Sequence, residues 1–412
     1  MRQKSVCVIG GGAAGMMAAI TAARKGARVT ILEAGDRLGK KILATGNGRC
    51  NLGNRVLDEG CYYGSCRFLR DALNSFGTKE TISFFEGLGL MIKDKNGYLY
   101  PFCEQASAVL DVLRHEIKEL GIQVEYDAKV SSVMPKDKQG FMVKSQHGSM
   151  EFDRVVITCG GKASPKTGSD GSGYEIARKL GHRITDVLPA LTFLKCKESF
   201  FKSIAGVRTD AVITLYKKDG EMLCEERGEL QLTEQGVSGI PTFQLSSIAA
   251  RSLLRMREIQ ATIDFLPDVK EAEIAGLAQR RRTLCGERTI EEFFTGILNK
   301  KVMALLLKSA GLKLADSSKT LTEKRIADVL MLAKSFRITV VGTGDFQNCQ
   351  VCSGGVDCGQ VTQTMESKLV RGIFFAGEIL DVDGRCGGYN LQWAWTSGHI
   401  AGMSAAGRRE EQ

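Results

Sequence analysis

The stretch SVCVIGGGAAG, Ser5 to Gly15, decides how the rest of the chain is read. Ser5 to Ile9 is a short apolar run, the pattern of a strand buried in a parallel sheet. Glycines follow at once, in the arrangement Gly10-x-Gly12-x-x-Gly15, and then an Ala/Met-rich helical stretch from Ala13 to Lys25. Gly26 ends it, and Ala27 to Leu32 reads as a second strand. This is one βαβ unit in about 30 residues. Each glycine has a mechanical role: Gly10 permits the tight turn, Gly12 lets a pyrophosphate approach the backbone, and Gly15 lets helix pack on strand. The helix start, Ala13 and Ala14, then offers its positive end to the diphosphate. A plain glycine turn would look the same up to this point. Glu33 separates the two readings, because it ends the second strand where a carboxylate can accept hydrogen bonds from both ribose hydroxyls. It also favours FAD or NAD over NADP, whose 2′-phosphate it would repel.

The choice between FAD and NAD lies further out. The loop GKKILATGNGRCN, Gly39 to Asn51, follows the carboxylate within a few residues. Gly46 and Gly48 free backbone N–H groups, Lys40, Lys41 and Arg49 supply positive charge, and Asn51 can donate and accept. Such a loop can close over a diphosphate and ribityl chain from the side opposite the helix; a solvated basic loop is the plainer alternative. Near the far end, GIFFAGEILDVDGRCGGYNLQWAWTSG pairs a buried strand with Gly377-Glu378. A second turn, Gly387-Gly388, opens a helix at about Tyr389. Glu378 can bind ribityl hydroxyls, and the helix start can face the pyrimidine edge of an isoalloxazine, where partial positive charge stabilises a reduced flavin. NAD requires no such second element. Trp393 and Trp395 suit a helix that packs in the core.

Between these ends the texture changes twice. Ile122 to Tyr126 and Phe141 to Ser145 look like strands, and RVVITCGG (Arg154 to Gly161) is a buried strand running into a glycine turn at Gly160. From about Leu188, alternating segments such as DAVITLY (Asp210 to Tyr216) and ATIDFL (Ala261 to Leu266) indicate an antiparallel β region. Residues 269–335 are helical in pattern and rich in Lys and Arg. The expected organisation is an FAD-binding domain in two parts, 1–189 and 346–412, around an inserted substrate domain, 190–345. The insert divides into a β region, 190–267, and a helical subdomain, about 268–335. VGTGDF (Val341 to Phe346) begins like a second dinucleotide fingerprint, but Gln347 stands at the third glycine position and no helix pattern follows.

Composition narrows the function classes. Hydrophobic content of 43% and charged content of 25% belong to an ordinary soluble chain. The net charge of +9 suits anionic ligands, but the basic residues are scattered, and no nucleic-acid partner is expected. Arg280-Arg281-Arg282 reads as a solvated helix face. Thirteen cysteines without a paired framework indicate reduced thiols. Cys349-x-x-Cys352 with Cys358 lacks the partners of a metal site, so no metal is expected. Cys50 reads as a packed thiol. His115, His147, His182 and His399 fall in no catalytic constellation. The basic, apolar N-terminus superficially resembles a signal peptide, but three glycines and Arg24-Lys25 argue against export. No apolar run approaches membrane-spanning length; a cytoplasmic protein is expected.

Four segments together resemble one family: GGGAAG, GKKILATGNGRCN, TMESK with FFAGEILDVDG, and GGYNLQWAWTSG. GYLYPFCEQASAVLDVL, GVSGIP and IDFLPD also resemble it, so the likeness spans the chain. It is the BaiN-like FAD flavoprotein family, which includes the aminoacetone-oxidase-like proteins. The resemblance implies an α/β fold: a Rossmann-like FAD domain split in sequence, with an inserted β-barrel-like domain carrying a helical subdomain. It also implies FAD contacts at Ala14, Glu33, Ala34, Lys41, Gly46, Asn47, Gly48, Arg49, Cys50, Asn51, Val130, Glu378, Asn390 and Leu391. One departure falls in GELQLTEQGVSG, where many relatives carry His in place of Glu234.

The expected activity is that of an FAD-dependent oxidoreductase with non-covalent FAD. NADH or NADPH would reduce the flavin, and an electron-poor C=C bond would accept the hydride. The resemblance suggests a 3-oxo-Δ4 or 3-oxo-Δ4,6 steroid of the bile-acid type, an apolar small molecule with an anionic group, bound where the insert roofs the flavin. Tyr389 and Glu234 are the candidate proton donors. Two alternatives stand beside this: an oxidase of a small amine, and a non-catalytic flavin-binding or nucleic-acid-associated protein.

Overall fold

The computed structural model describes residues 3–136 and 139–407; residues 1, 2, 137, 138 and 408–412, which include both ends of the expected FAD domain, lie outside the description. Two compact units are present: residues 3–188 with 346–407, and residues 189–345.

The first unit is built on five parallel strands in the order Ile373–Phe375, Arg154–Ile157, Ser5–Ile9 (β1), Arg28–Leu32 (β2) and Gln123–Glu125. The strand at one edge comes from near the C-terminus, so the chain returns to finish the sheet it began. Every residue of β1 is buried, which is why it reads as a continuous apolar run. Helix α1, Ala13–Arg24, follows β1, and the last helix, Tyr389–Ala406, lies against it. Small residues make that approach possible: a Cβ on Gly398 would sit 2.5 Å from Ala14 O, and one on Gly402 2.4 Å from Ala18 O. Trp393 and Trp395, 2% and 0% exposed, are core residues. Their indole N–H groups donate to Gly377 O (3.3 Å) and Leu52 O (3.0 Å).

The second unit is a closed antiparallel barrel of six strands: Leu194–Cys196, Gly236–Gly239, Met222–Thr233, Arg208–Tyr216, Ile259–Asp264 and Phe336–Thr343, the last pairing back to the first. Ala211, Ile213 and Leu215 alternate into its core. The segment 190–267, expected to be a β region, also holds a short helix, Phe201–Ile204, and a longer one, Ile240–Leu253. Gly239, at φ +103°, stops the preceding strand, and Pro241 suits the first turn. Thr242, Ser246 and Ser247 are buried on this helix, so its apolar period is diluted in the sequence. The helices Ile274–Cys285, Ile290–Phe293, Lys300–Ser309 and Glu323–Lys334 stand between the fifth and sixth barrel strands. The Arg280–Arg282 run corrects the solvated-face expectation in part. Arg281 donates to Phe293 O and Thr295 O, both at 2.7 Å, and Arg282 to Leu321 O, so two of the three staple helix ends.

Among the described residues, no helix is long and apolar enough to cross a membrane. Nor is any group of three or more His, Cys, Asp or Glu arranged to hold a metal ion.

Candidate cofactor cradle and active site

The turn after β1 is packed tightly except at one point. Gly10 has φ +101°, and a Cβ there would lie 2.8 Å from Thr158 O, so no other residue fits the conformation or the space. On Gly15 a Cβ would fall 1.9 Å from Gly10 O, and on Gly11 2.1 Å from the Leu38 side chain. A Cβ on Gly12 would meet nothing within 4 Å. The chain is closed on three sides of this turn and open at Gly12, the N-cap of α1. No side chain caps that helix, and no acidic residue stands in its first turn. An open, uncapped helix start of this kind fits a diphosphate.

Glu33 is held for a task beside it. Its Oε2 accepts from Gly11 N (2.7 Å) and its Oε1 from Gly35 N (2.8 Å), which fixes the carboxylate while leaving lone pairs for two hydroxyls. Ala34 next to it is exposed, and Val130 is buried at the start of a neighbouring strand, Val130–Pro135.

The segment Gly39–Asn51 is a helical turn, Lys40–Ala44, before it becomes a loop. Asn47 (φ 54°) and Cys50 (φ 58°) are left-handed without being glycine, and Gly46 and Gly48 are left-handed too. Strain of that density is maintained where a loop must present its backbone to something. Cys50 is fully buried, and burial pushes its thiol up to about 12, as a packed thiol requires. The three cations are not free. Lys40 pairs with Asp36 (2.5 Å), Lys41 with Glu378 (2.6 Å) and Arg49 with Glu104 (3.5 Å). The Asn51 amide, oriented to satisfy both ends, donates to Gly53 O (2.8 Å) and Leu99 O (3.1 Å) and accepts from Gly388 N (3.3 Å). It ties the loop to the second glycine turn.

The C-terminal segment meets the other two here. Gly377 abuts Ala14: a Cβ would come 2.7 Å from that of Ala14. Glu378 accepts from Cys352 N (2.9 Å) as well as Lys41. Gly160 packs on Ser169, and Gly388 on Gly53 O. Asn390 accepts from Gly384 N (2.8 Å) and donates to Gly384 O (2.7 Å), pinning the turn before the last helix. Leu391 is half-buried beside it, and neither a side-chain cap nor an acidic residue occupies that helix start. Three glycine turns therefore converge on one cradle, and its donors and open faces fit an adenine dinucleotide carrying an isoalloxazine.

The two candidate proton donors lie in different units. Tyr389 is buried, edge-on to Tyr62 with ring centroids 5.7 Å apart; burial and a hydrogen bond with Cys61 push its phenol up, so it stays protonated. Glu234 is exposed in the turn between barrel strands. Sequence reasoning passed over Tyr98 and Tyr100, which project from one side of the strand Tyr98–Pro101. The Tyr98 ring lies 2.9 Å from a Cβ position on Gly387, and that of Tyr100 3.7 Å from one on Gly46. The alternation in GYLYP, inside a segment that resembles the family, was their signal. The histidines take packing or surface places. His182 bonds Ser367 (2.8 Å), His399 stacks on Phe76 (centroids 4.2 Å apart), and His115 and His147 are exposed.

Comparison with known proteins yields four findings. Residues 4–404 match the HI0933-like protein Rossmann domain. A 3-dehydro-bile acid delta(4,6)-reductase of Clostridium scindens is 42% identical over 405 residues, covering 97% of this chain and 98% of that one. A ribosomal RNA dihydrouridine synthase of Escherichia coli K12 is 29% identical over 405 residues, 96% of each chain. Among solved structures, the 3-ketosteroid-delta4-(5alpha)-dehydrogenase of Rhodococcus jostii RHA1 shares the fold. Its TM-score is 0.50 at 15% identity, covering 98% of this chain and 97% of that one.

Proposed function

The chain belongs to the HI0933-like Rossmann family, and from that premise we propose that it is an FAD-dependent oxidoreductase that reduces an activated C=C bond with electrons from NAD(P)H. The favoured substrate is a 3-oxo-Δ4 or 3-oxo-Δ4,6 steroid of the bile-acid type. The observation that carries this reading is the end-to-end likeness, at 42% identity, to a bile-acid delta(4,6)-reductase. The cradle supports it. Gly12 and the start of α1 would hold the diphosphate, Glu33 the ribose, the Gly46–Asn51 loop the other side of the diphosphate, and Gly388, Asn390 and Leu391 the pyrimidine edge. When bound, FAD supplies hydride transfer. The protein's part is to orient the enone and to hold a proton ready. Tyr389, a phenol that carries its proton at neutral pH, is the proposed donor, and a hydrogen bond to the carbonyl would make the β-carbon electrophilic.

A second reading keeps the chemistry and changes the substrate. Forming dihydrouridine also saturates a C=C bond conjugated to a carbonyl, and the two ribosomal RNA synthases that resemble this chain at 29% and 27% identity match it almost end to end. The net charge of +9 is compatible with an RNA substrate. An anaerobic two-step experiment separates the possibilities. NADH and NADPH are each mixed with oxidised enzyme while flavin absorbance is followed. The reduced enzyme is then offered 3-oxo-Δ4,6 steroids, a uridine-containing RNA, or air. The expected result is reduction by a pyridine nucleotide and fastest reoxidation by the steroid. Fastest reoxidation by RNA selects the second reading, and reduction by amines alone with fast reaction in air replaces both with an oxidase.

A further inference from the structure

Away from the cradle, the first unit has a cleft of about 600 Å³ whose lining includes Ser65, Cys66, Arg67, Arg183, Asp357 and Lys368. Its charge is unbalanced. Arg183 donates to Asp357 Oδ2 through Nε (3.0 Å) and Nη2 (2.6 Å), and the arginine side chain is 70% exposed while the aspartate side chain is 12% exposed. Asp357 also accepts from Gly359 N at 2.9 Å, so it serves as a fixed base that aims the arginine. Lys368 Nζ donates to Gly359 O at 2.9 Å, which draws the ammonium to the same rim. Among the described residues, no carboxylate pairs with Lys368 or with the exposed Arg67. Three cations against one anion leave two positive charges facing one cavity.

An occupant should bring about two negative charges at one point. A carboxylate or a phosphodiester brings one, whereas a phosphate monoester carries about −1.5 to −2 at neutral pH, with three acceptor oxygens. The cavity is also larger than a bare phosphate needs. The cleft connects to the cradle through a two-stranded ribbon in which Gly64 pairs with Val382 and Tyr62 with Gly384. From Val382 to the turn at Gly387 is five residues, at most about 17 Å of chain, a span that an extended dinucleotide can bridge.

We propose that this cleft binds the phosphate monoester of a nucleotide, which makes NADPH rather than NADH the reductant. The inference rests on the pyridine-nucleotide reading above and goes beyond it by naming the site and the discriminating group. Arg67 and Lys368 grip the phosphate directly, and Arg183 does so as oriented by Asp357.

The test uses FAD-loaded protein and oxidised nucleotides, so that binding is read without turnover. NADP⁺ and NAD⁺ affinities are measured by equilibrium dialysis at low and high salt, with inorganic phosphate and a short uridine-containing RNA as competitors. The expected result is a preference for NADP⁺ of about tenfold or more, weakened by salt. In the double variant Arg67→Ala/Lys368→Ala that preference disappears while the flavin spectrum and NAD⁺ affinity stay unchanged. Equal affinities in the unaltered protein overturn the proposal, as does a preference that survives the double variant. Competition by free phosphate as strong as by NADP⁺ also overturns it, and so does stronger competition by the RNA. If NADP⁺ is discriminated here but NADPH leaves the flavin oxidised, the site stands and the reductase reading fails. If NADPH reduces the flavin equally well in the double variant, the site fails and the reading stands.

Discussion

At the scale of single residues, neighbouring glycines do different work, and substitution should separate them. Gly12 faces open space with an extended backbone, so Gly12→Ala should cost the apoprotein only the difference between glycine and alanine at an N-cap, below about 1 kcal/mol, while weakening FAD binding at least tenfold. Gly15 has Gly10 O at 1.9 Å from its Cβ position. Gly15→Ala should therefore destabilise the apoprotein itself by about 1–3 kcal/mol. Thermal unfolding of both apoproteins, paired with FAD titration, checks this; equal loss of stability in the two would show that Gly12 is not the open side of the cradle. A second contrast concerns charge. Glu33→Arg should empty the site, since it removes a carboxylate fixed by Gly11 N and Gly35 N. Arg49→Ala should retain most FAD, because Arg49 is half exposed and paired only loosely with Glu104 at 3.5 Å. Equal FAD occupancy in the two purified variants would remove the ribose assignment. The sequence makes Gly10, Gly12, Gly15 and Glu33 legible because their spacing is fixed by the turn. It hides the partners of Lys41 and Arg49, because Glu378 and Glu104 are brought to them by the fold, whereas Asp36 stands only four residues before Lys40.

At the scale of elements, pairing across the chain sets the limits of what a sequence can say. Strands β1 and β2 are readable from short runs dominated by apolar residues, Val6–Ile9 and Val29, Ile31 and Leu32, since a parallel strand is buried on both faces. Helix Ile240–Leu253 is not, because its buried face carries Thr242, Ser246 and Ser247. The convergence of the Gly46–Asn51 loop with Gly388 depends on the Asn51 amide, a contact far apart in sequence. One such long-range tie should be measurable by pH. Lys129, just before the strand Val130–Pro135, donates to Asp170 Oδ2 at 2.6 Å, and Ser172 N donates to Oδ1 at 2.9 Å at the start of the helix Ser172–Lys179. Burial raises the Asp170 carboxyl, and these hydrogen bonds overcome it, leaving the group at about 2. The folded value lies below the unfolded one of about 3.9. The stabilisation is therefore present above pH 4 and disappears as pH falls towards 2. Lys129→Met should move the acid-unfolding midpoint of the apoprotein upward, with an effect at neutral pH below about 1 kcal/mol for so exposed a pair. An unchanged acid midpoint by circular dichroism would show that the tie carries no stability.

For the whole molecule, the two units have separate hydrophobic cores, one around the parallel sheet and one within the barrel and its helices. The chain has two tryptophans, Trp393 and Trp395, and both sit in the last helix of the first unit, packed against the elements that form the cradle. Tryptophan fluorescence thus reports the first unit alone, whereas far-UV circular dichroism reports both. A ligand that binds only the folded first unit stabilises it by RT ln(1 + [L]/Kd), about 2.7 kcal/mol at a hundredfold excess over Kd. For a unit of roughly 250 residues that is a rise of roughly 5–10 °C. Adding FAD should therefore raise the fluorescence transition by this amount and leave behind a second transition, seen by circular dichroism, at its original temperature. Each core would then be melting on its own, with the cofactor linked only to the sheet that completes its cradle. If fluorescence and circular dichroism instead move together by the same increment, the two cores unfold as one cooperative body, and cofactor binding stabilises the barrel as much as the sheet.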